Sequence, residues 1–81
     1  MVGTLAQSEE RIRYWDVGAS IFDGGGGGKA LLSMRDNRTG KVYRATGYRF
    51  PAGWRDGAEL AGLPVPQYVK DAARRNMNKL V

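Results

Sequence analysis

The chain of 81 residues contains no cysteine and no histidine. The first absence excludes disulfides and thiolate metal ligands. The second removes the commonest zinc ligand, the usual general base near neutral pH, and every Ser–His or Cys–His nucleophile pair. Purely apolar runs never exceed three residues, against the ~18 that a membrane-spanning helix needs. No segment resembles a secretion signal. These absences point to a cytoplasmic protein that needs no membrane, metal or cofactor. A chain this short buries only roughly 60–65% of its unfolded surface. Its fold must rest on a thin apolar core, or on self-association as a homodimer.

Nucleotide chemistry is also missing. Five consecutive glycines, Gly24 to Gly28, precede Lys29. A phosphate-binding loop requires glycine five residues before Gly28 and Ser or Thr after the lysine. Asp23 and Ala30 stand there instead. A dinucleotide fingerprint starting at Gly24 would need glycine where Lys29 is. The eight acidic residues are scattered, with Asp36 suited to a turn and Asp71 to a first helical turn. No catalytic set emerges, and the chain reads as a non-enzyme.

What is present is positive charge, unevenly placed. Residues 1–28 carry two basic against four acidic side chains, a net of −2. Residues 29–81 carry eleven against four, a net of +7. Nine of the 13 basic residues are arginine, whose planar fork suits phosphate or carboxylate recognition.

The alternation of apolar residues predicts a single α+β domain over residues 11–81, after a flexible tail over 1–10. Arg11 to Phe22 reads as a strand with Trp15, Val17, Ala19 and Ile21 in phase. The glycine run cannot sit in a packed element. It suits a natural loose loop, an engineered loop replacement or a permutation linker. Lys29 to Asp36 and Lys41 to Phe50 read as a hairpin around Asp36-Asn37-Arg38-Thr39-Gly40. A four-residue loop puts Tyr43, Ala45 and Gly47 on the face of Leu32 and Met34, whereas a bulged loop swaps the faces. Pro51 to Gly57 reads as a connection. Asp56 and Glu59 have capping-box spacing for a short helical turn through Ala61. A second helix starts at Pro66 and runs to about Lys79, with Val69, Ala72, Ala73, Met77 and Leu80 as its apolar stripe. The expected architecture is a three-stranded antiparallel sheet with the C-terminal helix across one face, in the order β-β-β-α.

Arg35, Arg38, Lys41, Arg44 and Arg49 fall on or beside the hairpin, interleaved with Tyr43 and Tyr48. Arg74 and Arg75 fall on the outer side of the final helix. This constellation predicts nucleic-acid binding, with arginines on phosphates and aromatic rings on bases. Met34 to Lys41, in a sheet followed by a helix, resembles the amino-terminal arm-binding domains of tyrosine recombinases. That likeness covers eight residues plus topology. It implies a three-stranded sheet inserted into a DNA major groove, although the long Pro51 to Pro66 segment departs from the pattern. The competing expectation is a protein-binding module, an inhibitor or adaptor of phage or bacterial accessory type. It would dock an acidic surface through the same arginines, with Trp54, Phe50 and Tyr48 as anchors. DNA and RNA are not distinguished at this level.

Overall fold

A computed structural model describes residues 7–23 and 28–80. Residues 1–6 and 24–27, the expected positions of most of the tail and most of the glycine loop, lie outside the described residues.

The sheet has five strands rather than three. They are β1 (Gln7–Ile12), β2 (Trp15–Asp23), β3 (Lys29–Asp36), β4 (Lys41–Phe50) and β5 (Gly53–Asp56). Each pairs antiparallel with the next, in the spatial order β1-β2-β3-β4-β5, giving a curled sheet. Two short helices follow, α1 (Ala58–Gly62) and α2 (Gln67–Met77). The α+β class stands, and the three-stranded topology is corrected.

Both additional strands were hidden by composition. β1 reads Gln-Ser-Glu-Glu-Arg-Ile, polar on both faces. Half of its residues face α2, where they are partly covered by polar partners rather than by oil. Arg13 and Tyr14 close the β1–β2 hairpin, with Ile12 opposite Trp15. Arg13 takes a positive φ of 53°, as two-residue hairpin loops require at their first position. Arginine gives no sequence signal for that conformation. β5 is four residues long and begins at Gly53, whose φ is 130°. It was expected as part of a connection.

The β3–β4 register follows the four-residue loop. Met34 opposes Tyr43, Leu32 opposes Ala45 and Ala30 opposes Gly47. The loop closes through the Gly40 N–H donating to the Asp36 carbonyl at 2.7 Å, with Gly40 at φ 79°.

The core lies between one sheet face and α2. Val17, Ala30, Leu32 and Met34 from the sheet meet Val69, Ala72, Ala73 and Met77 from the helix, all buried. Leu60 plugs α1 into the same core. Gly47 lets the layers approach, because a β-carbon there would stand 2.5 Å from the Met77 sulfur. The helix ends at Met77 with Asn78 as its C-cap, two residues short of the expected end.

The capping assignments also change. Gly57, not Asp56, is the N-cap of α1, with no side-chain cap bond. Asp56 closes β5 and accepts from Arg74 instead, at 3.2 and 3.3 Å. Pro66 is the N-cap of α2 rather than its first helical residue. The smallest dimension of the molecule is 17 Å, the thickness of one sheet and one helical layer. Among the described residues, no element covers the second face of the sheet.

Candidate functional site

The alternation of strand side chains decides which expected contact residues share the open face. Trp15, Val17, Ala30, Leu32, Met34 and Ala45 are buried on the helix side. Residues of the other parity point away from it. Register then aligns them in rows across the sheet. Glu9, Gly18, Ser33 and Arg44 form one row, and Arg11, Asp16, Arg35 and Val42 form the next. Lys29, Tyr48 and Arg55 form a third row near the other end. A shallow trough of about 780 Å³ crosses the first two rows, with Ser20, Ser33, Arg35 and Arg44 in its lining.

Arg35 and Arg44 are diagonal neighbours on adjacent strands, because Arg44 opposes Ser33 and Arg35 opposes Val42. Such neighbours are about 7–8 Å apart. At that spacing each guanidinium fork can take its own phosphate of one ligand. Asp16 directly opposes Arg35 and feels its charge, yet its hydrogen bonds go to other residues. It accepts from Arg11 Nε and, at 3.0 Å, from Asn37 Nδ2. The Arg11 bond first, and the Asn37 bond second, hold Asp16 below the ordinary carboxylate range. Arg35 is thereby left without an ion-pair partner.

Six of the other arginines have defined partners. Arg38 bonds Asp36 at 3.3–3.4 Å and lies over the Tyr14 ring at 3.7 Å. The Arg38 bond is also the main reason that Asp36 is held below its usual range. Arg74 pairs with Asp56, and Arg75 forks onto Glu10 at 3.0 and 2.7 Å. Arg13 lies over Tyr68, and Arg49 over Trp54, each at 4.7 Å. Arg55 stands 5.8 Å from the Phe50 centroid. Among the described residues, Arg35 and Arg44 alone of the nine arginines have neither a carboxylate partner nor an aromatic ring beneath them.

The expected site is therefore split. Arg35, Arg44 and Tyr48 share the open face. Lys41 sits at the hairpin end, 5.5 Å from the Tyr43 ring. Tyr43 is half-buried on the helix side beside Trp15. Trp54 is half-buried too, and its indole donates to the Leu80 carbonyl at 3.1 Å. Arg38, Arg49, Arg74 and Arg75 serve intramolecular contacts off this face. The sequence reading omitted Lys29, Arg55 and Phe22. Arg55 was hidden because β5 was not expected.

Large apolar side chains are unusually exposed at the far end of the open face. Tyr48 is 38% exposed and Phe50 49%, two residues apart on β4. Phe22 is 57% exposed and occupies the irregularity between Ile21 and Asp23. Five cations (Arg11, Lys29, Arg35, Arg44 and Arg55) share the face with Glu9 and Asp16, and Asp23 stands opposite Lys29 in the register. Glu59 borders it, its carboxylate packed against Gly57 beside the Tyr48 ring.

No cluster of three or more acidic side chains able to hold a metal occurs among the described residues. No described helix is long and apolar enough to cross a membrane. No protein-family model, curated protein or solved structure matches this chain.

Proposed function

We propose that this protein binds nucleic acid without catalysis, using the open face of its sheet. The observation that carries the reading is the pair Arg35 and Arg44, two adjacent guanidinium groups with no ion pair among the described residues, in a polar trough whose lining also includes Arg11, Ser20 and Ser33 and the acids Glu9, Glu10 and Asp16. Guanidinium forks recognise phosphate in two-pronged fashion. The overall charge of +5 adds long-range attraction for a polyanion. The helix arginines no longer belong to the interface, because Asp56 and Glu10 already hold them.

Titration of labelled oligonucleotides at low salt tests this. Wild-type protein binds, and Arg35→Glu combined with Arg44→Glu abolishes binding while the folded signal in circular dichroism is kept. Undiminished affinity in that double variant overturns the assignment.

A second reading places an acidic protein on the same face, or a second copy of the chain on its apolar end. The exposure of Phe22 and Phe50 at that end favours it. Its signature is a stoichiometric complex unaffected by nuclease, or a mass in light scattering that doubles with concentration.

A further inference from the structure

We infer that the nucleic acid is single-stranded and crosses the open face with its bases stacked on Tyr48 and Phe50. This rests on the nucleic-acid reading above and adds the strand form and the role of the aromatic end.

The first argument is width. Neighbouring strands lie about 4.8 Å apart, and since β1 and β5 pair at opposite ends of the sheet no more than four strands stand abreast, spanning about 14 Å between outer backbones before side chains are added. The major groove of duplex DNA is about 12 Å wide and admits a helix or a two-stranded ribbon. This face cannot enter it, and the insertion implied by the recombinase resemblance does not fit a five-stranded sheet. A duplex could only rest its phosphates on the surface, leaving the aromatic end without a role. A single strand offers both phosphates and open base faces.

The second argument is placement. Tyr48 and Phe50 emerge from one face of β4, about 6.8 Å apart along the strand. Tyr48 is 38% and Phe50 49% exposed, so each keeps open ring surface, with the Arg55 guanidinium 5.8 Å from the Phe50 centroid. Lys29 and Arg55 flank Tyr48 in its own row. The aromatic end therefore has a cation on either side for the backbone of a stacked strand, with the acidic residues Asp23 opposite Lys29 in the register and Glu59 beside Tyr48. Arg44 lies four residues from Tyr48 on the same strand, about 14 Å away. Arg35 and Arg44 can take phosphates of the same ligand further along. A basic groove combined with stacking rings is how proteins hold single strands without reading their sequence.

The experiment compares four probes of about 12 nucleotides: oligo-dT, oligo-U, a mixed-sequence duplex, and an abasic strand of equal length. Fluorescence anisotropy is read for wild type, Tyr48→Ala, Phe50→Ala and the control Tyr48→Phe. The single strands bind at least tenfold more tightly than the duplex, and the abasic strand loses that advantage. Each alanine variant weakens single-strand binding by about fivefold or more, and Tyr48→Phe keeps it. Both aromatics are surface residues, and a folded circular-dichroism spectrum for each variant is the entry condition. Equal affinity for duplex and single strand overturns this inference and leaves the phosphate contacts standing. So does an abasic strand that binds as well as oligo-dT, or alanine variants with unchanged affinity. Absence of binding to all four probes at low salt overturns the nucleic-acid reading itself.

Discussion

Arg75 forks onto Glu10 across 65 residues of sequence, at 3.0 and 2.7 Å, and so ties α2 to the edge strand β1. The fully buried Asn76 completes the junction. Its amide nitrogen donates to Glu10 at 2.7 Å and to the Ala72 carbonyl at 2.8 Å, and its oxygen accepts from Ser8 at 2.7 Å. A strand with little apolar surface is thus held to the helix by charged and polar groups that satisfy one another.

The Arg75 hydrogen bond, helped by Asn76, holds the Glu10 carboxyl below its ordinary 4.5. A carboxylate with a depressed folded-state pKa stabilises the fold above its unfolded value, and that contribution is lost as pH falls through the folded value. Urea unfolding should therefore show Glu10→Gln less stable than wild type by about 1 kcal/mol at pH 7. The gap should close at pH below the range in which Glu10 titrates. Asp16 and Asp36 are shifted in the same direction, so the variant keeps part of the acid sensitivity. A gap that persists at low pH would mean that the side chain acts through packing alone.

Sequence legibility followed the apolar pattern. The phase of Leu32 and Met34 and the helical spacing of Val69, Ala72, Ala73 and Met77 located the core, because oil packing imposes periods of 2 and 3.6. β1 and β5 were not legible for the opposite reason. The inward groups of β1 are Ser8, Glu10 and Ile12, and those of β5 are Trp54 and Asp56, so most of the covering groups are polar. The same blindness affected the site. Arg74 and Arg75 look like free helix charges until β5 and β1 bring Asp56 and Glu10 to them. Arg35 and Arg44 were legible as basic residues, but the absence of an ion pair at Arg35 depends on Asp16 bonding Arg11 and Asn37.

Gly47 and Met77 should behave as a coupled pair. A β-carbon at 47 meets the Met77 sulfur at 2.5 Å and its Cγ at 3.3 Å. Gly47→Ala should cost about 1 kcal/mol and Gly47→Val about 3, the range for overpacking a core. Shortening the partner with Met77→Ala should make the added methyl less costly, so a double-mutant cycle by urea unfolding departs from additivity. Additive losses would place the strain elsewhere.

Arg74→Gln and Arg75→Gln should lower the melting temperature and leave oligonucleotide affinity nearly unchanged. Their guanidinium groups are committed to Asp56 and Glu10, so they are structural rather than ligand-facing. Arg35→Gln and Arg44→Gln should show the reverse. Thermal melts and anisotropy on the same four preparations separate the two behaviours.

Glu59 stands beside the Tyr48 ring and should oppose the approach of a phosphate. Glu59→Gln is expected to tighten binding by about twofold at low salt, with the difference shrinking as salt screens the charge. An effect independent of salt would point to a contact rather than to repulsion.

The central claim is that Arg35 and Arg44 meet phosphate. The most direct test is the slope of log affinity against log salt for oligo-dT, in wild type and in Arg35→Gln combined with Arg44→Gln. Each phosphate contact on a single strand contributes about 0.7 to the slope, so the double variant should be shallower by about 1.4. An unchanged slope, with affinity intact, would show that these two arginines do not touch the backbone and would contradict the account.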